Sequence, residues 1–141
     1  MTVALKRVYD PPAPSDGARV LVDRLWPRGL TKEGAALDLW LKDLAPSDEL
    51  RKWYHARPTM WTQFREKYLR ELRSDAAHFA LEQLYALVAK RKTVTLLYAS
   101  KSTEHNNATV LKELLDGRKK PPRSTGPERA AAMANVARAR R

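Results

Sequence analysis

The apolar positions of this chain change their spacing several times, and each change marks an element. Residues 3–9, Val-Ala-Leu-Lys-Arg-Val-Tyr, read as a strand that Asp10-Pro11-Pro12 stops. Residues 11–17 form a stiff loop closed by an Asp16-Gly17 turn. Residues 18–26 read as a second strand, with Leu21, Asp23 and Leu25 alternating with Val20, Val22 and Arg24. Its first half is apolar on both faces, the pattern of a sheet covered on both sides.

Helical spacing follows. Thr31 is placed to cap a helix through about Leu44, with Leu37, Trp40, Leu41 and Leu44 inward and Asp38–Lys42 as a solvated i, i+4 pair. Ser47 caps the next, with Asp48 and Glu49 in the first turn and Leu50, Trp53 and Tyr54 on the apolar side, until Pro58 breaks it. Thr59 is expected to cap a third helix (Trp61, Phe64, Tyr68 and Leu72 inward) and Asp75 a fourth (Leu81, Leu84 and Val88 inward). The helical spacing of the rings from residue 40 to residue 68 assigns them to the core. Residues 93–100, Thr-Val-Thr-Leu-Leu-Tyr-Ala-Ser, are the clearest strand. A polar loop and a short helix over 108–115 complete the pattern. The order of elements predicts an α/β fold: a single layered domain over residues 1–116, with a small, largely parallel β-sheet flanked by helices.

Composition narrows the chemistry. The chain has no cysteine, which excludes disulfides, a thiol nucleophile and a thiolate metal site, and fits a reducing cytosol. Three scattered histidines (His55, His78, His105) give no metal spacing. No Gly-rich phosphate loop, GxGxxG or GxSxG is present, so no cofactor is implied. The first apolar residues are too few for a signal peptide, and no apolar run nears the roughly 20 residues of a membrane span. A cytoplasmic protein with no membrane partner is expected.

The net charge of +11 is unevenly spread. Residues 117–141 hold eight Lys/Arg and one acid, a net +7, whereas residues 1–116 hold nineteen against fifteen, a net +4. Gly117 therefore opens a second region, a flexible basic tail by composition. Its Arg118, Lys119, Lys120, Arg123, Arg138, Arg140 and Arg141 are candidates for weak, salt-dependent, sequence-independent contacts with nucleic acid.

The candidate site lies elsewhere. Ligands of open α/β sheets bind beyond the carboxyl ends of the strands. The second strand ends in Asp23-Arg24-Leu25-Trp26-Pro27-Arg28-Gly29, and the third in Ser100-Lys101-Ser102-Thr103-Glu104-His105-Asn106-Asn107. If the two strands are parallel neighbours, these turns meet. Arg24 and Arg28 would then hold an oxyanion, Lys101 would assist, and Ser100, Asn106 and Asn107 would donate from a helix N-terminus. Trp26-Pro27 would form a rigid wall, and Gly29 would let the backbone come close. Asp23 and His105 are the groups that could handle protons. The structural alternatives are an ion pair from Arg24 to Asp23, Asp38 or another acid, and a Trp26-Pro27 that only plugs the sheet edge.

These phrases resemble the YeaO-like branch of domain-of-unknown-function family 488. The resemblance rests on LKRVYDPP, DGARVLVDRLWPRGL, DLWLKDLAPSDELRKWY, FREKYLREL and TLLYASKSTEHNNATVLKELL, in order, from about residue 3 to 116. It implies a compact cytosolic bacterial α/β domain and no assigned activity. Regulator labels carried by some relatives find no helix-turn-helix with a basic recognition helix here. The wider family often has a Cys-His-Arg phrase where this chain reads Glu104-His105-Asn106-Asn107-Ala108, so any thiol chemistry of those relatives does not transfer. The segment after Gly117 lies outside the quoted phrases and reads as an extension particular to this chain.

Three readings follow from the residues: a site for a small anionic ligand such as a nucleotide or phosphorylated metabolite, nucleic-acid association through the tail, and a protein-interaction module whose arginines sit in structural ion pairs. Oligomeric state is left open by the sequence.

Overall fold

The spine of the sheet is β4 (Thr93–Tyr98), five of whose six residues are buried. It pairs on one side with β1 (Thr2–Arg7) and on the other with β2 (Ala18–Leu21). β3 (Leu39–Trp40) extends the sheet beyond β2, giving the order β1-β4-β2-β3 with every pairing parallel. The computed structural model describes residues 2–117, so the basic tail expected beyond Gly117 lies outside the described residues. The helices are α1 (Lys32–Ala35), α2 (Asp48–Ala56), α3 (Trp61–Glu71), α4 (Asp75–Lys90) and α5 (Asn107–Gly117), with 3-10 turns at Pro14–Asp16 and Lys42–Leu44.

Both sheet faces are covered, as the apolar run in β2 requires. Val20, Val94, Leu96 and Tyr98 face the larger core with residues from α2 to α5, including Leu50, Phe64, Leu84 and Leu111. Leu21 and Leu97 face the opposite side, where Val8, Ala35 and the half-buried Trp26, Leu30, Leu37 and Trp40 close over them. Most of the aromatic series belongs to the larger core, where Trp53, Tyr54 and Trp61 pack against buried Phe64 and Tyr68, whereas Trp40 packs in the smaller cluster on the opposite face. The Tyr68 hydroxyl donates to the Leu44 carbonyl, which ties α3 to the 42–44 turn.

The helix predicted over 31–44 does not form. Thr31 does cap a helix, its Oγ1 accepting from the Gly34 N–H, but that helix is one turn long and ends with Ala36 at φ 48°. The reason is Arg19. This buried residue of β2 sends its Nη2 to the Ala35 carbonyl and its Nε to the Ala36 carbonyl, so the groups that would propagate the helix are already satisfied. Asp38 accepts from the Arg19 N–H at 2.8 Å, and Leu39–Trp40 then pair with Val20–Leu21. Covering the edge of β2 outweighs helix propensity in a segment weakened by Gly34. The expected Asp38–Lys42 pair is absent as well: Lys42 Nζ sits 4.1 Å over the Trp40 ring.

Other boundaries shift by a few residues. The second strand stops at Leu21, so the whole Asp23–Gly29 phrase is loop. α3 begins at Trp61 without a side-chain cap from Thr59, and Ser74 rather than Asp75 caps α4. At α2 the cap is as expected: Ser47 Oγ accepts from the Leu50 N–H, and Glu71 accepts from both the Ser47 N–H and its hydroxyl.

Candidate functional site

β2 and β4 are parallel neighbours, so their carboxyl ends and the turns that follow open on the same edge of the sheet. Between these turns lies a cleft of about 860 Å³. Arg24, Arg28 and Lys101 line it, together with Asp23, Trp26, Ser100, His105, Asn106 and Asn107. α2 adds Arg51, Tyr54 and His55, and α3 adds Phe64.

The join between the two turns is built on Asp23. Its Oδ2 accepts from the Ala99 N–H at 2.8 Å and its Oδ1 from the Asn107 amide at 3.1 Å. The same Asn107 amide also donates to the Val22 carbonyl at 2.9 Å. Asn107 therefore clips the start of α5 to the end of β2. Trp40 closes the join from the far side, its indole N–H donating to the Asp23 carbonyl at 2.7 Å.

The 100–107 turn is also fixed from within. Ser100 Oγ accepts from the Ser102 N–H, and Ser102 Oγ accepts from the His105 N–H. The Asn106 amide donates to the Ser102 carbonyl while its Oδ1 accepts from the Thr109 N–H, capping α5. Arg7 reaches across from β1 and donates to the Ala99 and Ser100 carbonyls at 3.0 Å.

These bonds sort the expected site residues into two groups. Asn106, Asn107 and Ser100 border the cleft but hold its shape. Trp26 lines the cleft and is fixed in place: its indole N–H donates to the Leu30 carbonyl and its ring meets Trp40 edge-on at 5.4 Å. Gly29 is not among the lining residues, so it does not bring backbone up to a ligand; its φ of 82° is the left-handed conformation that favours glycine. By contrast, Arg24 and Arg28 are exposed and form no ion pair among the described residues, and neither does Lys101. Neither Asp23 nor Asp38 pairs with Arg24, so the structural alternative for that side chain does not hold.

Arg51, Tyr54 and His55 escaped the sequence reading, which saw α2 only as a core helix. The signal was present in that Arg51 ends the APSDELR phrase; in the structure its only ion pair among the described residues is a loose contact with Asp48 at 3.9 Å, both side chains more than half exposed. Four cations thus face the cleft against one carboxylate, that of Asp23.

Burial pushes the Asp23 carboxyl above its ordinary value, against the opposing pull of the Ala99 N–H and the Asn107 amide. A carboxyl raised in the folded state holds more protons than the unfolded chain, so its contribution to stability falls as pH rises through the window above about pH 4. Urea unfolding across that window should show the wild type losing stability relative to Asp23→Asn, whose side chain does not titrate. A flat difference would mean that Asp23 is not desolvated.

His105 stacks its imidazole on Trp61, with centroids 4.6 Å apart and planes 10° apart. It lines the cleft, and its backbone N–H donates to the Ser102 hydroxyl oxygen. Among the described residues no group of His, Asp and Glu could hold a metal ion, and no helix is long and apolar enough to cross a membrane.

Comparison with known proteins places this architecture. The model of the family described as "Inactive DUF488-N3 subclade" matches residues 2–132. That match runs past the 3–116 span of the quoted phrases. The chain is 49% identical over 115 residues to "Uncharacterized protein YeaO" of Escherichia coli K12, covering 82% of this chain and 97% of that protein. It is 42% identical over 116 residues to "Uncharacterized protein Rv3073c" of Mycobacterium tuberculosis and to "Uncharacterized protein Mb3100c" of Mycobacterium bovis, in each case over 82% of this chain and 95% of the relative. No solved structure matches. With this fold, these motifs and these relatives, the chain belongs to the DUF488-N3i family, the YeaO-like inactive subclade of the DUF488 proteins.

Proposed function

We propose that the cleft binds a small anionic ligand, a nucleotide or phosphorylated metabolite, and does so without catalysis. One observation carries this reading: Arg24, Arg28 and Lys101 line a single cleft with no carboxylate partner among the described residues, and Arg51 joins them with only a loose one. Unpaired guanidiniums around a concave, rigid site are matched by an oxyanion. Binding rather than chemistry is favoured by Asp23, whose two oxygens are both engaged. The family's description as inactive accords with this.

Thermal-shift screening against nucleotides, sugar phosphates and carboxylates tests the proposal. A ligand at about 100 times its dissociation constant adds about 2.7 kcal/mol. For a domain of this size that raises Tm by roughly 10 °C. The Arg24→Ala/Arg28→Ala double variant should fold with unchanged Tm and lose most of that shift. No hit across the panel, or hits that the double variant retains, would overturn the reading and favour a protein-interaction module.

A second reading rests on charge alone. The +7 of residues 117–141 supports loose association with nucleic acid, separable from the cleft. Deleting 118–141 should abolish binding to random duplex DNA at low salt; unchanged binding contradicts it.

A further inference from the structure

The cleft has two unlike walls. The turns after β2 and β4 supply the cations Arg24, Arg28 and Lys101, whereas the helical side supplies rings, with Tyr54 from α2 (beside Arg51 and His55), Phe64 from α3 and Pro58 from the segment between them. A bare oxyanion or a sugar phosphate would occupy the first wall and leave the second wet.

The second wall is an ordered stack. Tyr54 lies on Phe64, centroids 4.5 Å apart at 29°, and Phe64 lies 5.5 Å from Trp61 at 26°. Trp61 in turn carries the His105 imidazole nearly parallel to it. Each ring is held by its neighbour, so the wall is rigid before any ligand arrives. Tyr54 is half-buried, lines the cleft, and its hydroxyl has no hydrogen-bond partner among the described residues.

Building on the anion-site reading, we infer that the ligand carries a flat ring beside its phosphate: it is a nucleotide, whose phosphate meets the arginines while its base lies on the Tyr54 wall. Rings that accept any base by its face give affinity with little base preference. A free nucleotide and the phosphorylated end of a single strand share this chemistry.

Calorimetric titration of the full chain with pyrophosphate, ribose 5-phosphate and the four common nucleoside 5′-monophosphates tests the inference. Nucleotides should bind about tenfold or more tighter than ribose 5-phosphate, at the lower end of what one stacked base contributes. Their base protons should move upfield in the NMR spectrum when bound. Tyr54→Leu, which keeps apolar bulk in the core, should abolish the nucleotide advantage and leave ribose 5-phosphate affinity unchanged. Equal binding of nucleotide and ribose 5-phosphate overturns the flat-ring inference while the anion site stands; no binding of any phosphate overturns both. A 5′-phosphorylated trinucleotide separates the sources. Tighter binding than the mononucleotide assigns a strand end, weaker binding assigns the free nucleotide, and each supports the ring.

Discussion

Asp16→Ala should destabilise the domain by about 3–5 kcal/mol, the cost of leaving a buried charge without its partner. Asp16 is buried and accepts from Arg19 Nη1 at 2.5 Å, from Lys6 Nζ at 3.1 Å and from the Ala13 N–H at 3.0 Å. Arg19 is equally buried and has no route to water. Removing the carboxylate also frees Lys6, but Lys6 is partly exposed and can solvate. Asp16→Asn should cost nearly as much, because its amide NH2 would have to face a cation.

The pH dependence follows from the same contacts. Burial alone would raise the Asp16 carboxyl, but the Ala13 N–H and the two cations outweigh it and hold the value below the ordinary one. Such a group contributes stability above about pH 4, and that contribution is lost as pH falls through the lowered value. Urea unfolding from neutral to acid pH should therefore show a steep loss in the wild type that Asp16→Asn lacks. A cost below about 1 kcal/mol would mean that Arg19 finds water. Replacing both partners by apolar residues should not restore stability here, unlike many buried pairs, because Arg19 also holds the carbonyls that end α1.

Gly17→Ala should cost about 2–5 kcal/mol, from two additive sources. Gly17 has φ 63° and ψ −134°, a region open in practice only to glycine. A Cβ there would also lie 2.2 Å from the Thr93 carbonyl oxygen, at the start of β4. That oxygen belongs to backbone and cannot swing aside, so the turn before β2 would have to lift off the sheet. Denaturant unfolding measures the cost, and a loss under about 1 kcal/mol would show that the turn relaxes freely. Asp16 and Gly17 thus set where β2 enters the sheet, and through it where Arg24 and Arg28 leave it.

Much of this was legible in the chain. The apolar run in β2 announced a sheet covered on both faces, and the polar phrases after β2 and β4 marked the edge where the cleft opens. Two kinds of feature were not legible. The first is tertiary override: Arg19 reads as one polar residue in a strand, yet its guanidinium ends α1 and its N–H takes Asp38, so a segment with helical spacing supplies β3 instead. The second is division of labour within the turns. Asn106 and Asn107 carry the side-chain groups that would suit an anion, but those groups are consumed in capping α5 and clipping it to β2. Arg51 entered the cleft from a helix whose spacing spoke only of core, because its exposed face is brought to the sheet edge by packing of α2 against α3.

The central claim is that the edge between β2 and β4 holds an anion. Titrating the ¹⁵N-labelled full chain with a nucleoside 5′-monophosphate tests it residue by residue. If the phosphate binds there, the largest amide shifts cluster at 23–28, 51–55 and 99–107, and they vanish in the Arg24→Ala/Arg28→Ala variant. Shifts confined to residues 118–141, or centred on Asp16 and Gly17 at the opposite edge of the sheet, would contradict it.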